Sequence, residues 1–67
     1  MTRDALIARR QALGLTQLQL AKEFGVSLRA YAQWERGERW PGYLAEFGME
    51  TILTRLEAAH SLAALAA

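Results

Sequence analysis

The stretch that decides the fold is TQLQLAKEFGVSLRAYAQWERG, residues 16–37. It opens with a capping box, in which the Thr16 hydroxyl and the Gln19 side chain each bond to the other residue's backbone amide. Its second half follows Ser27, a residue type favoured at helix N-caps. The pattern therefore predicts two short helices joined by a Gly-Val-Ser turn, with the helices covering residues 17–24 and 28–36.

Helical patterns continue on both sides of this stretch. Leu6, Arg10 and Leu13 recur at helical spacing, which predicts a first helix over residues 3–13. Pro41 suits the first position of a short fourth helix, which we expect to break at Gly48. The C-terminal segment 49–67 is rich in the helix formers Ala, Leu and Glu. We therefore expect one all-α domain over residues 1–67, a bundle of four to five short helices.

Length and composition exclude several classes of protein. A chain of 67 residues holds one small domain, and without cysteine it has neither disulfides nor thiolate metal sites. The apolar fraction of 52% is typical of a folded chain, and no apolar run approaches the roughly 18 residues of a membrane span. The first apolar stretch is too short for a secretory signal, so we expect a cytoplasmic, nucleoid-associated protein without membrane contact.

Catalytic and metal-binding functions find little support in the residues. The single histidine, His60, has no cluster of ligating side chains at suitable spacing, so we expect a structural or solvated role for it. Nothing orients a Ser-His pair or supplies an oxyanion hole, and the glycines form no phosphate-binding loop. We expect no enzymatic activity, no metal, no cofactor and no small-molecule ligand.

The charge is distributed unevenly along the chain. Residues 1–40 carry a net charge of +3 and residues 41–67 a net charge of −2. An anionic partner would therefore favour the first part of the chain. Two helices joined by a tight turn suit double-stranded DNA, because the second helix can enter the major groove while the first crosses the backbone.

The segments TQLQLAKEFGVS (16–27) and WERGERWP (34–41) resemble the Cro/cI-type (XRE-like) helix-turn-helix family of phage and bacterial regulators. The resemblance covers residues 3–47, with departures at Leu18 and Tyr31, where a polar and a smaller aliphatic residue are usual. It implies a sequence-specific DNA-binding regulator, expected to be a small repressor or autorepressor of a phage, mobile-element or bacterial operon that occludes a promoter. The alternative is an antitoxin-type module whose main role is binding a partner protein.

The resemblance implies DNA contacts at the start of the second helix, along the third helix and just after it. Arginine can pair with guanine and glutamine with adenine, whereas basic residues beyond the helix position the protein on phosphates. Some of these residues have plainer interpretations, as a solvated helix face, a packing position or surface ion pairs with neighbouring glutamates. The expected DNA-binding residues are Gln17, Ser27, Leu28, Arg29, Ala30, Gln33, Arg36 and Arg39, and the plainer interpretations concern Leu28, Arg29, Gln33, Arg36 and Arg39.

The resemblance also implies an internal ion pair and a dimer. Arg10 of the first helix and Glu35 of the third occupy positions that family members pair. Two-fold pairing on a pseudo-palindromic operator is expected, with the dimer surface on the last helix. We assign Ile52, Leu56 and Ala59 to the monomer core, and Leu53, Leu62 and Leu65 partly to a partner copy. The alternative is that the last helix only completes the monomer core.

Overall fold

The computed structural model describes residues 1–66, and these residues form four α-helices and no strand. Ala67, the last residue of the predicted segment 49–67, lies outside the described residues. The predicted all-α fold is confirmed. The helices are α1 (Arg3–Ala12), α2 (Gln17–Phe24), α3 (Leu28–Glu35) and α4 (Tyr43–Ala66). None of them is long and apolar enough to cross a membrane.

Hydroxyl side chains begin the first three helices. Thr2 accepts a hydrogen bond from the backbone amide of Ala5 at the start of α1. Thr16 and Gln19 form the predicted capping box, with N–O distances of 3.1 and 2.8 Å. Each cap satisfies backbone amides that lack a partner inside the helix, which fixes where the helix begins.

The core lies where α1, α2, α3 and α4 meet. Its buried hydrophobic side chains come from all four helices, and the largest of them belongs to Tyr31. The rings of Phe24, Tyr31 and Trp34 pack against one another with centroids 6.0 to 6.4 Å apart. The buried hydrophobic residues are Leu6, Leu20, Ala21, Tyr31, Met49 and Leu53.

The predicted break at Gly48 is wrong. α4 runs without interruption for 24 residues, and it begins at Tyr43 rather than at Pro41. The backbone carbonyl of Gly42 accepts from the Glu46 amide at 2.9 Å, which marks the first turn. A glycine inside a helix costs only about 1 kcal/mol relative to alanine, and burial of Met49 and Leu53 outweighs that cost.

The assignment of residues to the two faces of α4 needs correction at two positions. Leu53, predicted to contact a partner copy, is fully buried in the monomer core. Ala59, predicted to lie in the core, is exposed, whereas Leu56 packs against the core as expected and Ile52 is half-buried. The helix continues through Gly48, so Met49 and Leu53 share its inner face at a spacing of four residues.

An arginine of α1 fixes α4 to the body of the protein. Arg9 bonds to both carboxylate oxygens of Glu50, at 2.7 and 2.8 Å, and its Nε and Nη2 bond to Glu57 at 2.9 and 2.7 Å. Glu50 and Glu57 are seven residues apart and therefore lie on one side of the helix. The pairing with Arg9 holds the pKa of Glu57 below its usual value.

Candidate nucleic-acid interface

The turn between α2 and α3 sets the angle at which α3 projects. Gly25 has φ of +72°, a left-handed conformation that glycine adopts without steric cost. The amide of Val26 then bonds back to the Ala21 carbonyl at 3.0 Å, and Val26 packs against the core. Ser27 caps α3 by accepting from the Ala30 amide at 3.1 Å. The sequence Gly-Val-Ser thus forms the turn of a helix-turn-helix.

A polar cluster on the inner side of α3 holds the helix in place. Glu35 is buried and accepts from Arg10 Nε at 2.7 Å and from Arg10 Nη2 at 3.1 Å. It also accepts from Gln17 Nε2 at 2.9 Å and from the hydroxyl of Tyr31. Arg10 completes its own bonding by donating to the Leu15 carbonyl at 3.0 Å. The expected Arg10–Glu35 pair is therefore present, as the centre of a cluster that joins α1, α2 and α3.

The electrostatics of this cluster favour an ionised carboxylate. Burial alone would raise the pKa of Glu35, but hydrogen bonds from Arg10, Tyr31 and Gln17 outweigh burial and hold this pKa below its ordinary value. Burial and the bond to Glu35 raise the pKa of Tyr31, which therefore stays a hydrogen-bond donor. The hydroxyl also explains how the fold accommodates a tyrosine where an aliphatic residue is usual.

The outer side of α3 carries the polar residues that the sequence assigned to DNA. Arg29, Gln33 and Arg36 are spaced by four and three residues, so they lie on one side of the helix axis, opposite Tyr31 and Trp34. Arg29 is exposed and forms no ion pair within residues 1–66, while Gln33 is partly buried. This side of the helix can therefore present guanidinium and amide groups to the edges of bases.

The remaining predicted contacts of α2 and α3 have different environments. Ser27 is exposed, and because its oxygen only accepts at the cap, its hydroxyl proton remains available to donate. Leu28 is 43% exposed beside it, and Ala30 is partly buried. Gln17 differs most, since its amide already donates to Glu35. That contact makes Gln17 a link between α2 and α3, a role the sequence did not indicate.

Basic side chains also surround the turn that follows α3. Arg36 pairs with Glu38, and both side chains are exposed, which is the plainer interpretation considered above. Arg39 is exposed and forms no ion pair in the described part of the chain. Arg3 lies against this turn, with its Nη1 3.1 Å from the point where a Cβ on Gly37 would lie. Arg3 was not predicted, because the expected Arg10–Glu35 pair relates only the last turn of α1 to α3, whereas Arg3 lies at the start of α1.

Comparison with known proteins agrees with this geometry. A family model described as helix-turn-helix matches residues 6–43, which is more than half of the chain and includes most of α1, all of α2 and α3, and the following loop. The protein therefore belongs to the helix-turn-helix family of Cro/cI (XRE) type, and it is a DNA-binding transcription regulator of that type. Searches among curated proteins and solved structures give no significant match.

Proposed function

We propose that this protein is a small repressor that reads a short DNA sequence with α3 and occludes a promoter, with the promoter of its own operon as a natural target. The observation that carries the proposal is the outer side of α3. Arg29 and Gln33 on this side are of the residue types that pair with guanine and adenine. Arg29 forms no ion pair within residues 1–66. Bound DNA would replace water at this surface without breaking the core.

The proposed contacts divide into two kinds. Arg29 and Gln33 read base edges in the major groove, and Ala30 meets the methyl group of a thymine. Ser27, Arg36 and Arg39 contact phosphates and so set the position of α3 along the duplex. Gln17 supports the surface through Glu35 and contacts the DNA backbone only at the edge of the interface.

Two copies are proposed to bind together on a pseudo-palindromic site. One α3 reads only a few base pairs, and each mismatched pair costs about 1–3 kcal/mol, which gives limited selectivity in a genome. Two helix-turn-helix units about one helical turn apart double the number of positions that are read. Occlusion then requires only occupancy of the promoter, and no enzymatic activity, metal or cofactor takes part in it.

The decisive experiment compares two duplexes of equal length and base composition across a series of salt concentrations. One duplex carries the DNA immediately upstream of the gene, and the other carries the same bases in scrambled order. We expect tighter binding to the upstream DNA at every salt concentration, with both affinities falling as salt rises. Equal, weak binding of the two duplexes throughout would overturn the proposal.

An antitoxin-type module that binds a partner protein is the second candidate. The observation in its favour is α4, which leaves large apolar side chains exposed. The two functions give different results in the experiment above, because a module that only binds a protein would not distinguish the duplexes. If the upstream DNA is preferred, the occlusion mechanism is tested directly by measuring whether this protein and RNA polymerase compete for the same promoter fragment.

A further inference from the structure

The guanidinium of Arg3, the first residue of α1, lies over the turn that follows α3. Its Nη1, Cδ and Cζ atoms are 3.1, 3.5 and 3.8 Å from the point where a Cβ on Gly37 would lie. A side chain at position 37 would therefore compete with the guanidinium for this space. The start of α1 thus contributes a basic group to a turn that is distant from it in the chain.

This guanidinium has little to bond to inside the protein. Within residues 1–66 its one ion pair is with Asp4, and the Nε–Oδ1 distance of 3.6 Å is too long for a hydrogen bond. The two side chains are 49% and 86% exposed, and exposed pairs of this kind contribute little to stability. Arg3 therefore keeps its hydrogen-bond donors available for a ligand that arrives from solvent.

The turn itself is tied to the end of α3. The backbone amides of Glu38 and Arg39 both bond to the carbonyl of Gln33, at 3.0 and 3.4 Å, and the Gly37 amide bonds to the Trp34 carbonyl at 3.1 Å. These amides are therefore occupied, and an anion at this turn would be held by side chains. A ligand held there also has a fixed position relative to Gln33, the residue proposed above to read a base.

Two further arginines stand on the same turn. Arg36 is exposed and pairs with Glu38 only at the surface, and Arg39 is exposed without an ion pair in the described part of the chain. The positive charges of these two groups and of Arg3 repel one another, and an anionic ligand would relieve that repulsion. Guanidinium groups suit phosphate in particular, because their planar donors match its oxygens with parallel hydrogen bonds.

The length of α3 brings this turn to the edge of the major groove. The helix has 8 residues, which at a rise of about 1.5 Å per residue make it about 12 Å long, and the groove is about 12 Å wide. When the first residues of α3 meet base edges, the turn after its last residue therefore comes close to the sugar-phosphate backbone. The basic groups of the turn then lie where a row of phosphates passes.

We propose that Arg3 contacts the DNA backbone, and that it binds, beside Arg39, a phosphate of the strand that passes the C-terminal end of α3. The ligand is the phosphodiester of double-stranded DNA, so the proposal rests on the DNA-reading function proposed above. It extends the interface from the helix-turn-helix to the start of α1. Because a phosphate contact positions the protein without reading bases, Arg3 helps to set where α3 lies along the groove.

Salt titration of DNA binding distinguishes this contact from a general effect of charge. Arg3→Ala and Arg55→Ala each remove one positive charge, and Arg55 is an exposed residue of α4. Both variants are titrated on the upstream duplex and on the scrambled one. We expect Arg3→Ala to bind both duplexes about tenfold more weakly at low salt and to reduce the salt slope by about one unit. Arg55→Ala should follow the wild-type curves.

Arg3→Lys distinguishes a phosphate contact from a structural role at the turn. Lysine keeps the charge and donates to phosphate, but it does not reproduce the flat guanidinium over Gly37. We expect Arg3→Lys to restore the wild-type salt slope, and the melting temperatures of both Arg3 variants to stay close to that of wild type. A lower melting temperature for Arg3→Ala together with an unchanged salt slope would show a structural role and overturn the proposal.

Neutral phosphates locate the contact on the DNA. Single methylphosphonate groups, which carry no charge, replace the phosphates of the upstream duplex one at a time. The wild-type protein should lose affinity at one phosphate where Arg3→Ala loses none, because the variant has already lost its partner there. Arg39→Ala should be insensitive at the same phosphate or at its neighbour on that strand. Equal sensitivity of wild type and Arg3→Ala at every position would show that Arg3 contacts no phosphate.

The contact and the promoter-reading function fail in different ways. Phosphate contacts act on any sequence, so they are measured on the scrambled duplex as well. Equal binding of the two duplexes, with a lower salt slope for Arg3→Ala on both, would overturn the function and support the contact. A preference for the upstream duplex, with Arg3→Ala binding both duplexes like wild type, would overturn the contact and leave the function.

Discussion

Glu35 is the residue on which most of the helix-turn-helix depends. Its side chain is 6% exposed and accepts hydrogen bonds from three residues on three different helices. A buried carboxylate with this many donors is stabilised as a charge, but each donor would be left without its partner if the carboxylate were removed. The cluster therefore fixes the angle between α3 and the other helices rather than simply adding stability.

Glu35→Ala is expected to leave the domain largely unfolded. Removing one partner of a buried pair costs about 3–5 kcal/mol, which is most of the stability that a domain of this size has. Urea denaturation followed by circular dichroism measures the loss. Glu38→Ala is the matched control, because its pair with Arg36 is exposed and contributes at most about 1 kcal/mol. Similar midpoints for the two variants would contradict the role given to Glu35.

Tyr31→Phe tests the part of the cluster that departs from the family pattern. Losing a hydrogen bond to a charged group costs about 1.5–3 kcal/mol. The bond also lowers the pKa of Glu35, and a lowered folded-state pKa stabilises the protein above the unfolded-state pKa and is lost as pH falls. With phenylalanine the folded-state pKa rises, so stability decreases and acid unfolding begins at a higher pH.

The measurement for Tyr31→Phe is the free energy of unfolding as a function of pH, from neutral pH downwards. Tyr43→Phe serves as the control, because Tyr43 is 82% exposed and its hydroxyl has no hydrogen-bond partner within residues 1–66. The control should follow the wild-type curve. An acid limb of Tyr31→Phe that coincides with wild type would show that the hydroxyl does not support the Glu35 carboxylate.

At the scale of the helices, the sequence predicts α1, α2 and α3 to within one residue but misses both the start and the length of α4. The starts of α1, α2 and α3 follow from hydroxyl caps, a local effect that the residue types show directly. α4 was predicted to break because glycine is a weak helix former. Tertiary packing keeps the helix continuous through Gly48, because Met49 and Leu53 in the turn that follows are buried against the other helices. The Ala- and Leu-rich sequence has apolar residues all round, so it did not show which side of α4 faces the core.

Gly48→Ala is expected to stabilise the protein by about 0.5–1 kcal/mol. A Cβ at position 48 would meet no atom within 4 Å, so the gain in helix propensity carries no steric cost. Gly25→Ala is the matched variant, because its Cβ would also meet nothing, but its φ of +72° makes alanine unfavourable by about 1–2 kcal/mol. Thermal melting should therefore move in opposite directions for the two substitutions. A lower melting temperature for Gly48→Ala would indicate that α4 needs a glycine at this point.

For the whole molecule, the net charge of +1 understates the positive potential near α3. The acidic residues after position 40 are engaged away from that helix, Glu46 by the N-terminal amine and Glu50 and Glu57 by Arg9. Arg29 and Arg39, in contrast, form no ion pair within residues 1–66. The charge asymmetry of the sequence thus becomes a positive surface near α3 because the fold pairs the acidic residues of α4 with Arg9 and the N-terminal amine. The sequence alone does not show these pairings.

Removing a side chain that contacts a base should have a different effect on DNA binding from removing one that contacts a phosphate. Arg29→Ala, or Gln33→Ala, should cost about 1–3 kcal/mol at one base-pair position and relax the sequence preference there. Arg39→Ala should weaken binding to all sequences about equally and reduce the salt dependence by about one unit of slope, because it removes one phosphate contact. Arg55→Ala removes the same charge from α4 and should change neither quantity. Selection of binding sites from a random pool, combined with a salt titration of each variant, measures both effects. If Arg29→Ala selects the wild-type site with undiminished preference, α3 does not read bases through this residue.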